Sequence, residues 1–174
     1  EPFTPYDGTL DPRLDWSVGR RGIPFLDWGV MPGKSWVRNQ PLCGPYVSIK
    51  NIATQANVDK ERQGGFATSV PYALMRFADV LLMAAECEAE VGSLEKAEEY
   101  VNMVRARAAD PKSFVYKYLD NNKPMGGYSD TPAANYKVGL YPAGAFAANG
   151  KNYARKAIRF ERKLELAMEW HRLF

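Results

Sequence analysis

Apolar positions along this chain cluster into helical patterns in two places. From Tyr72, the run YALMRFADVLLMAAECEAEVG extends about twenty residues, is rich in Ala, Leu, Met and Glu, contains no proline and closes on Gly92. Ser93 offers a capping oxygen for a second helix, in which Leu94, Ala97, Val101, Val104 and Ala108 recur at spacings of three and four and so share one face. Asp110-Pro111 stops it. Two helices joined by a turn at Gly92-Ser93 are expected to be antiparallel neighbours. A third pattern, from about 153 to 174, places Ala157, Phe160, Leu164, Ala167, His171 and Phe174 on one face. The five-residue spacing of Gly92 and Ala97 matches the turn and crossing of a tetratricopeptide unit, where small residues let helices approach. A single such unit cannot bury its own face, so the third helix or further sequence must cover it.

The remaining segments lack periodicity. Residues 1–70 hold seven of the 12 prolines, eight of the 14 glycines and three of the four tryptophans, which predicts loops with at most short extended pieces such as Leu14–Val18 and Tyr46–Lys50. Residues 112–150 also read as loop. The expected fold class is all-α: a tetratricopeptide-like helix pair (71–111) and a further helix (151–174), with long Pro/Gly/aromatic-rich loops (1–70 and 112–150). A compact domain rarely carries so long an irregular stretch unless it is functional or packs on something else, so the chain is expected to be part of a larger protein. The opening EPFTPYDG and the apolar ending Trp170, Leu173 and Phe174 add the expectation that neither end is native.

Composition narrows the function classes. A hydrophobic fraction of 46% over 174 residues fits a soluble globular domain with a real core. Net charge is +3 from 23 basic and 20 acidic residues, too little to draw nucleic acid or an anionic membrane, and Arg20-Arg21 is the one local basic hint. No apolar run approaches a membrane span. Two cysteines make neither a disulfide scaffold nor a metal site. Cys87, within an apolar helix pattern, is expected to be a buried free thiol. Cys43, without the apolar segment that precedes a lipid-attachment cysteine, is expected to be a loop thiol.

Candidate chemistry begins with Gly29-Val-Met-Pro-Gly-Lys-Ser35. A phosphate-binding loop needs four residues between its first glycine and Gly-Lys-Ser; here three intervene, one of them a proline without an amide hydrogen, and WVRNQPLCGP cannot open a long helix. The sequence therefore predicts no nucleotide site and no cofactor. His171 is the sole histidine and reads as packing, and no nucleophile elbow or metalloprotease motif occurs, so no enzyme and no metal site is expected. The pairs Glu86/Glu90 and Glu161/Glu165 have acid/base spacing but are surrounded by basic residues. Arg76 and Asp79 fall within an apolar run, and Glu161, Arg162 and Glu165 crowd the third helix. These five are expected to form a polar network between helices, because a partly buried charge needs a partner. Trp16, Trp28 and Trp36, with Tyr46 nearby and Arg38 as a donor, suit a sugar whose C–H face stacks while its hydroxyls hydrogen-bond. The competing role, pinning loops onto a scaffold, is expected for at least about half of these four aromatics.

These pieces resemble the SusD/RagB family. YALMRFADVLLMAAECEAEVGSLEKAEEYVNMVRARA is similar to its signature helix pair through Arg76, Phe77, Ala78, Asp79, Val80, Leu81, Leu82, Glu86, Gly92, Ala97, Asn102, Val104, Arg105 and Arg107. AIRFERKLELAMEWHRLF resembles a later family helix, and LDPRLDWSVGRRG its Asp-Pro-Arg-Leu segment, Asp11 to Leu14; Trp170 stands where many members have glycine. The resemblance implies the C-terminal portion of a non-enzymatic, surface-exposed, lipid-anchored outer-membrane protein of Bacteroidota. Such a protein captures an oligosaccharide or polysaccharide, or in some relatives a peptide, for a SusC-like TonB-dependent transporter. The membrane would be met only through a lipid anchor that this chain lacks, and nucleic acid is not an expected partner. No ligand residue carries over by motif, so Trp16, Trp28, Trp36 and Arg38 stand on chemistry alone. The alternative is a helical scaffold that contacts the transporter while ligand is held elsewhere.

Overall fold

The computed structural model describes residues 4–44, 46–58, 62–63, 67–68 and 73–169, and the protein is mainly α-helical. It packs as two compact units, Glu1–Tyr72 with Phe114–Tyr136, and Ala73–Ser113 with Lys137–Phe174.

The first unit begins with the short helix α1 (Arg13–Ser17), strand β1 (Val18–Gly19), α2 (Gln40–Cys43) and β2 (Val47–Ser48). Strands β1 and β2 pair antiparallel, Val18 opposite Ser48. A two-residue pairing follows between β3 (Arg62–Gln63) and β4 (Ala67–Thr68). The sequence predicted extended backbone over Leu14–Val18, but α1 turns there, because the Asp11 carboxylate accepts the Arg13 N–H (3.0 Å) and starts a helical turn. Residues 112–150, read as loop, contain a hairpin of β5 (Tyr116–Tyr118) and β6 (Tyr128–Pro132). Two small cores hold this unit: Phe25, Met31, Val37 and Ile49, and Ile23, Val115 and Tyr136.

The second unit is three helices. Helix α3 spans Phe77–Val91 and α4 spans Leu94–Ala109; α5 spans Ala145–Glu165 with a break at Gly150, whose φ of 78° is the left-handed geometry that favours glycine. Ser93 Oγ caps α4 by accepting the Lys96 N–H (3.1 Å). Gly92 closes α3 for a different reason from the one the sequence implied. Its φ of −120° is open to any residue, but a Cβ would collide with the Glu88 carboxylate, which folds back to accept the Ser93 N–H (2.9 Å). The core is Leu82, Ala85 and Ala89 from α3, Ala97, Val101 and Val104 from α4, and Phe146, Ala154, Ala157 and Ile158 from α5. Alanines at the crossings let the helices approach closely; at Leu82, fully buried, truncation to alanine should cost roughly 2–5 kcal/mol.

Three expectations need correction here. The third helix starts at Ala145, a pattern hidden by Gly150, and its regular part ends at Glu165; residues 170–174, including His171 and Phe174, lie outside the described residues. Its buried side is Ala154, Ala157, Ile158, Glu161 and Glu165, whereas Phe160 is 54% exposed. Reading only apolar residues rotated the face, because two of the inward positions carry glutamates. Cys87 is exposed: it lies on the side of α3 opposite Leu82, Ala85 and Ala89.

Candidate functional site

Polar side chains in the second unit are spent on holding helices together. Arg76 donates from Nη1 to Glu165 Oε1 (2.7 Å) and from Nη2 to Glu169 Oε1 (2.8 Å) and the Glu165 carbonyl (2.9 Å). Arg107 Nη2 reaches both Glu165 oxygens at 2.7 Å. Burial works against the Arg76 charge, but the hydrogen bonds to Glu169 and Glu165 outweigh it and raise its pKa. Arg105 pairs with the fully buried Glu161 (2.7 Å), donates to the Gly139 carbonyl (2.6 Å) and lies over the Tyr141 ring. Arg162 Nη1 and Asp79 Oδ1 are 3.0 Å apart, close enough for an ion pair, yet neither atom has hydrogen-bond geometry with any partner. Their contact is therefore coulombic rather than directional. Arg76, Asp79, Glu161, Arg162 and Glu165 thus all stand in ion pairs that link α5 to α3, to α4 or to the residue that caps α3.

Two further residues of α4, the signature Asn102 and its neighbour Glu98, fix the segment before α5. Asn102 donates to the Tyr141 carbonyl (3.0 Å) and accepts the Tyr141 N–H (2.9 Å). Buried Glu98 accepts the N–H groups of Gly144 (2.9 Å) and Phe146 (2.8 Å), satisfying amides that the start of α5 leaves open. The Glu86/Glu90 pair is split in the same manner. Glu90 is held at about 2 by its hydrogen bonds from Arg155 and then Lys151. Among the described residues no group of His, Cys, Asp and Glu could hold a metal.

The first unit carries the exposed tryptophans Trp16, Trp28 and Trp36, with exposed Tyr6, Tyr46 and Tyr128. The loop Leu26–Gly29 is tied on two sides. Asp27 accepts the Gln55 N–H (2.6 Å) and the Ala56 N–H (2.9 Å), and the Trp28 indole donates to the Ala53 carbonyl (2.9 Å). Across the hairpin, the hydroxyls of Tyr118 (2.6 Å) and Tyr128 (2.7 Å) both donate to the Leu26 carbonyl, and the two rings stack at 5.4 Å. Burial pushes the Tyr118 phenol up to about 12. Leu26 has φ +50°, a strained conformation for a leucine, and these bonds hold it there.

Two clefts open on this unit. One, about 180 Å³, is apolar, with Trp16, Leu26, Ile49, Tyr116 and Tyr128 in its wall. The other, about 750 Å³, is polar and gathers Tyr6, Arg20, Arg21, Lys34, Ser35 and Tyr46. Behind it Asp15, fully buried, takes Arg20 Nε (2.6 Å) and Nη2 (2.9 Å) and the Tyr136 hydroxyl (2.6 Å). The hydrogen bond to Asp15 raises the Arg20 pKa, while burial and then that same carboxylate push the Tyr136 phenol far upward.

Of the residues nominated from sequence, Trp16 (43% exposed) lines the apolar cleft. Trp28 and Trp36 line neither cleft: Trp28 is tethered through its N–H, and Trp36 packs edge-on against Phe25 at 5.8 Å. Arg38 is exposed and also outside both. The tyrosines at 6, 116 and 128 were not found because no periodicity marks them; Arg20-Arg21 and Lys34-Ser35 were visible as separate motifs, and only folding brings them together. The Lys34–Trp36 stretch is a single 3₁₀ turn after Gly33 (φ +87°), not the opening of a long helix.

Comparison with known proteins agrees with this architecture. The chain is 34% identical over 119 residues to a SusD-like protein of Formosa agariphila, a stretch that is 68% of this chain and 17% of that protein, so it spans only a small part of that relative's length. The sequence model of the SusD family (SusD_RagB) matches residues 1–174, the whole chain, and the chain therefore belongs to the SusD family.

Proposed function

We propose that this chain captures a glycan, without turning it over, as part of a nutrient-uptake protein that is lipid-anchored at the outer-membrane surface and delivers to a SusC-like transporter. SusD-family proteins are in general glycan-binding proteins of nutrient uptake, which supports the class. The observation that carries it to residues is the apolar cleft, where Trp16, 43% exposed, and Tyr128, 49% exposed, offer ring faces beside the Tyr116 backbone strand. A sugar's C–H face stacks on such rings, and the rigid Tyr118–Leu26–Tyr128 clamp keeps the wall in place before ligand arrives. No helix of the described residues is long and apolar enough to cross a membrane.

Tryptophan fluorescence of the whole chain, titrated with plant and host polysaccharides and with peptides, tests this. Saturable quenching by a glycan that weakens about tenfold in Trp16→Ala, equivalent to about 1.4 kcal/mol, is the expected result. Equal binding by the variant refutes the site, and saturation by peptides alone refutes the ligand class.

A second reading, a helical scaffold that contacts the transporter, is supported by Leu74, Met75, Phe77 and Val80, which are 77%, 61%, 71% and 43% exposed at the start of α3. It predicts no glycan response, together with loss of transporter co-purification in Phe77→Asp.

A further inference from the structure

We infer that the apolar cleft of the first unit holds a 6-deoxyhexose, with the C6 methyl group of the sugar buried in the cleft. This rests on the glycan reading above and adds the ligand's chemistry. Among the described residues, the wall carries only aliphatic and aromatic side chains, with no carboxylate, amide, guanidinium or ammonium group. Pro24, Ile49 and Val115, all buried, form its floor, and Trp16 and Tyr128, both exposed, stand at its rim.

The polar atoms of this wall are largely spent inside the protein. The Tyr128 hydroxyl gives its hydrogen to the Leu26 carbonyl (2.7 Å), and the same carbonyl accepts the Tyr118 hydroxyl (2.6 Å), so both of its lone pairs are taken. The Val115 carbonyl accepts the Ala133 N–H (2.8 Å), the Ile49 N–H donates to the Ser17 carbonyl (3.1 Å), and the Ile49 carbonyl accepts the Ile52 N–H (3.3 Å). Pro24 has no N–H to offer. Trp16 and Tyr116 likewise have partners within the protein.

A hydroxyl entering such a cleft leaves water without a waiting partner, and burying it unpaired is costly. A methyl group in the same place gains from every apolar atom it touches. A 6-deoxyhexose has hydrogen where a hexose has its C6 hydroxyl, and so presents a methyl group at one corner of the ring. Its C–H face then lies on the exposed rings of the rim while its remaining hydroxyls stay in water. An N-acetyl methyl group fits less well, because the amide N–H and C=O beside it need partners that the floor does not supply. The volume, about 180 Å³, is below the roughly 300–1,000 Å³ of sites that enclose a drug-sized ligand, so the cleft takes one sugar residue rather than a stretch of chain.

The test is a saturation-transfer NMR titration of the whole chain with pairs that differ only at C6: the methyl glycosides of L-fucose and L-galactose, and those of L-rhamnose and L-mannose. The methyl glycosides of N-acetylglucosamine and glucose form a third pair. The expected result is that the 6-deoxy member of at least one pair binds about tenfold or more tightly, and that its C6 methyl protons receive the most saturation. Trp16→Ala should weaken that binding about tenfold. Tyr128→Phe should narrow the gap within the pair, because the Leu26 carbonyl regains a lone pair for a ligand hydroxyl while Tyr118 still holds the loop. Equal affinity within both C6 pairs, no binding by either 6-deoxy member, a preference confined to the N-acetyl pair, or an affinity and a gap unchanged in both variants overturns the inference. Saturable polysaccharide quenching leaves the glycan reading standing in each of those cases. Absence of a saturable response to every polysaccharide and every glycoside overturns both.

Discussion

Replacing Arg76 with alanine tests whether the charges among the helices hold the second unit together. Arg76 makes four hydrogen bonds to Glu165 and Glu169, and the side chains of these three residues are 28%, 2% and 13% exposed. Breaking a buried pair by removing one partner costs about 3–5 kcal/mol, because the remaining charge stays desolvated. Two features lower that figure. Arg76 itself is partly in water, and Arg107 still reaches both Glu165 oxygens. The expected loss is therefore about 2–3 kcal/mol, well above the roughly 0–1 kcal/mol of an exposed pair. Urea unfolding followed by far-UV circular dichroism reads it as a lower midpoint at constant slope. Arg76→Lys should lose about half as much, since a lysine keeps the charge but cannot bridge Glu165 and Glu169 with a planar fork. A double-mutant cycle with Glu165→Gln isolates the pair, and a coupling of about 1 kcal/mol or more is expected. A loss under about 0.5 kcal/mol in Arg76→Ala would refute the argument, and the ion pairs would then be a solvated surface feature.

Glu98→Ala should destabilise by about 2 kcal/mol, because the Gly144 and Phe146 amides lose a charged acceptor in a buried setting; Glu98→Gln should recover part of it, and the same urea assay reads both. Glu90 should titrate near 2 by carboxyl NMR at low salt, and Arg155→Ala should return it toward the ordinary glutamate range. The sign follows from the depressed value: the stabilising contribution of this pair is complete above the ordinary value of 4.5 and disappears as pH falls through about 2. A midpoint near 4.5 in the unaltered protein would mean that the Glu90–Arg155 pair does not form in solution.

The helix pair was legible because its signals are local. Ala97, Val101, Val104 and Ala108 repeat at helical spacing, Ser93 caps through its own side chain, and Pro111 stops the helix by sterics, so neighbours in sequence suffice to specify each. The third helix was legible only in part. Its periodicity was read from apolar residues, while Glu161 and Glu165 occupy inward positions that become tolerable only once Arg105, Arg107 and Arg76 arrive from elsewhere in the chain. The β5–β6 hairpin escaped notice because Tyr-Lys-Tyr alternates over too few residues to separate from loop.

The same division applies to the candidate site. Residue types alone marked the first seventy positions as a proline-, glycine- and tryptophan-rich loop region, and the signature run alone pointed to the family. Which aromatics face a cleft was settled by the fold: Trp28 and Trp36, the more conspicuous in sequence, are tethered to Ala53 and packed on Phe25, while Trp16 faces the opening beside Tyr128, 112 positions away. Arg20-Arg21 and Lys34 meet at one cleft because Asp15 anchors the first arginine and Gly33 makes room for the second. Helical periodicity and capping are short-range effects that a sequence specifies by itself, whereas a cleft is made by contacts between residues far apart in the chain, which only the folded packing brings within a few ångströms of one another.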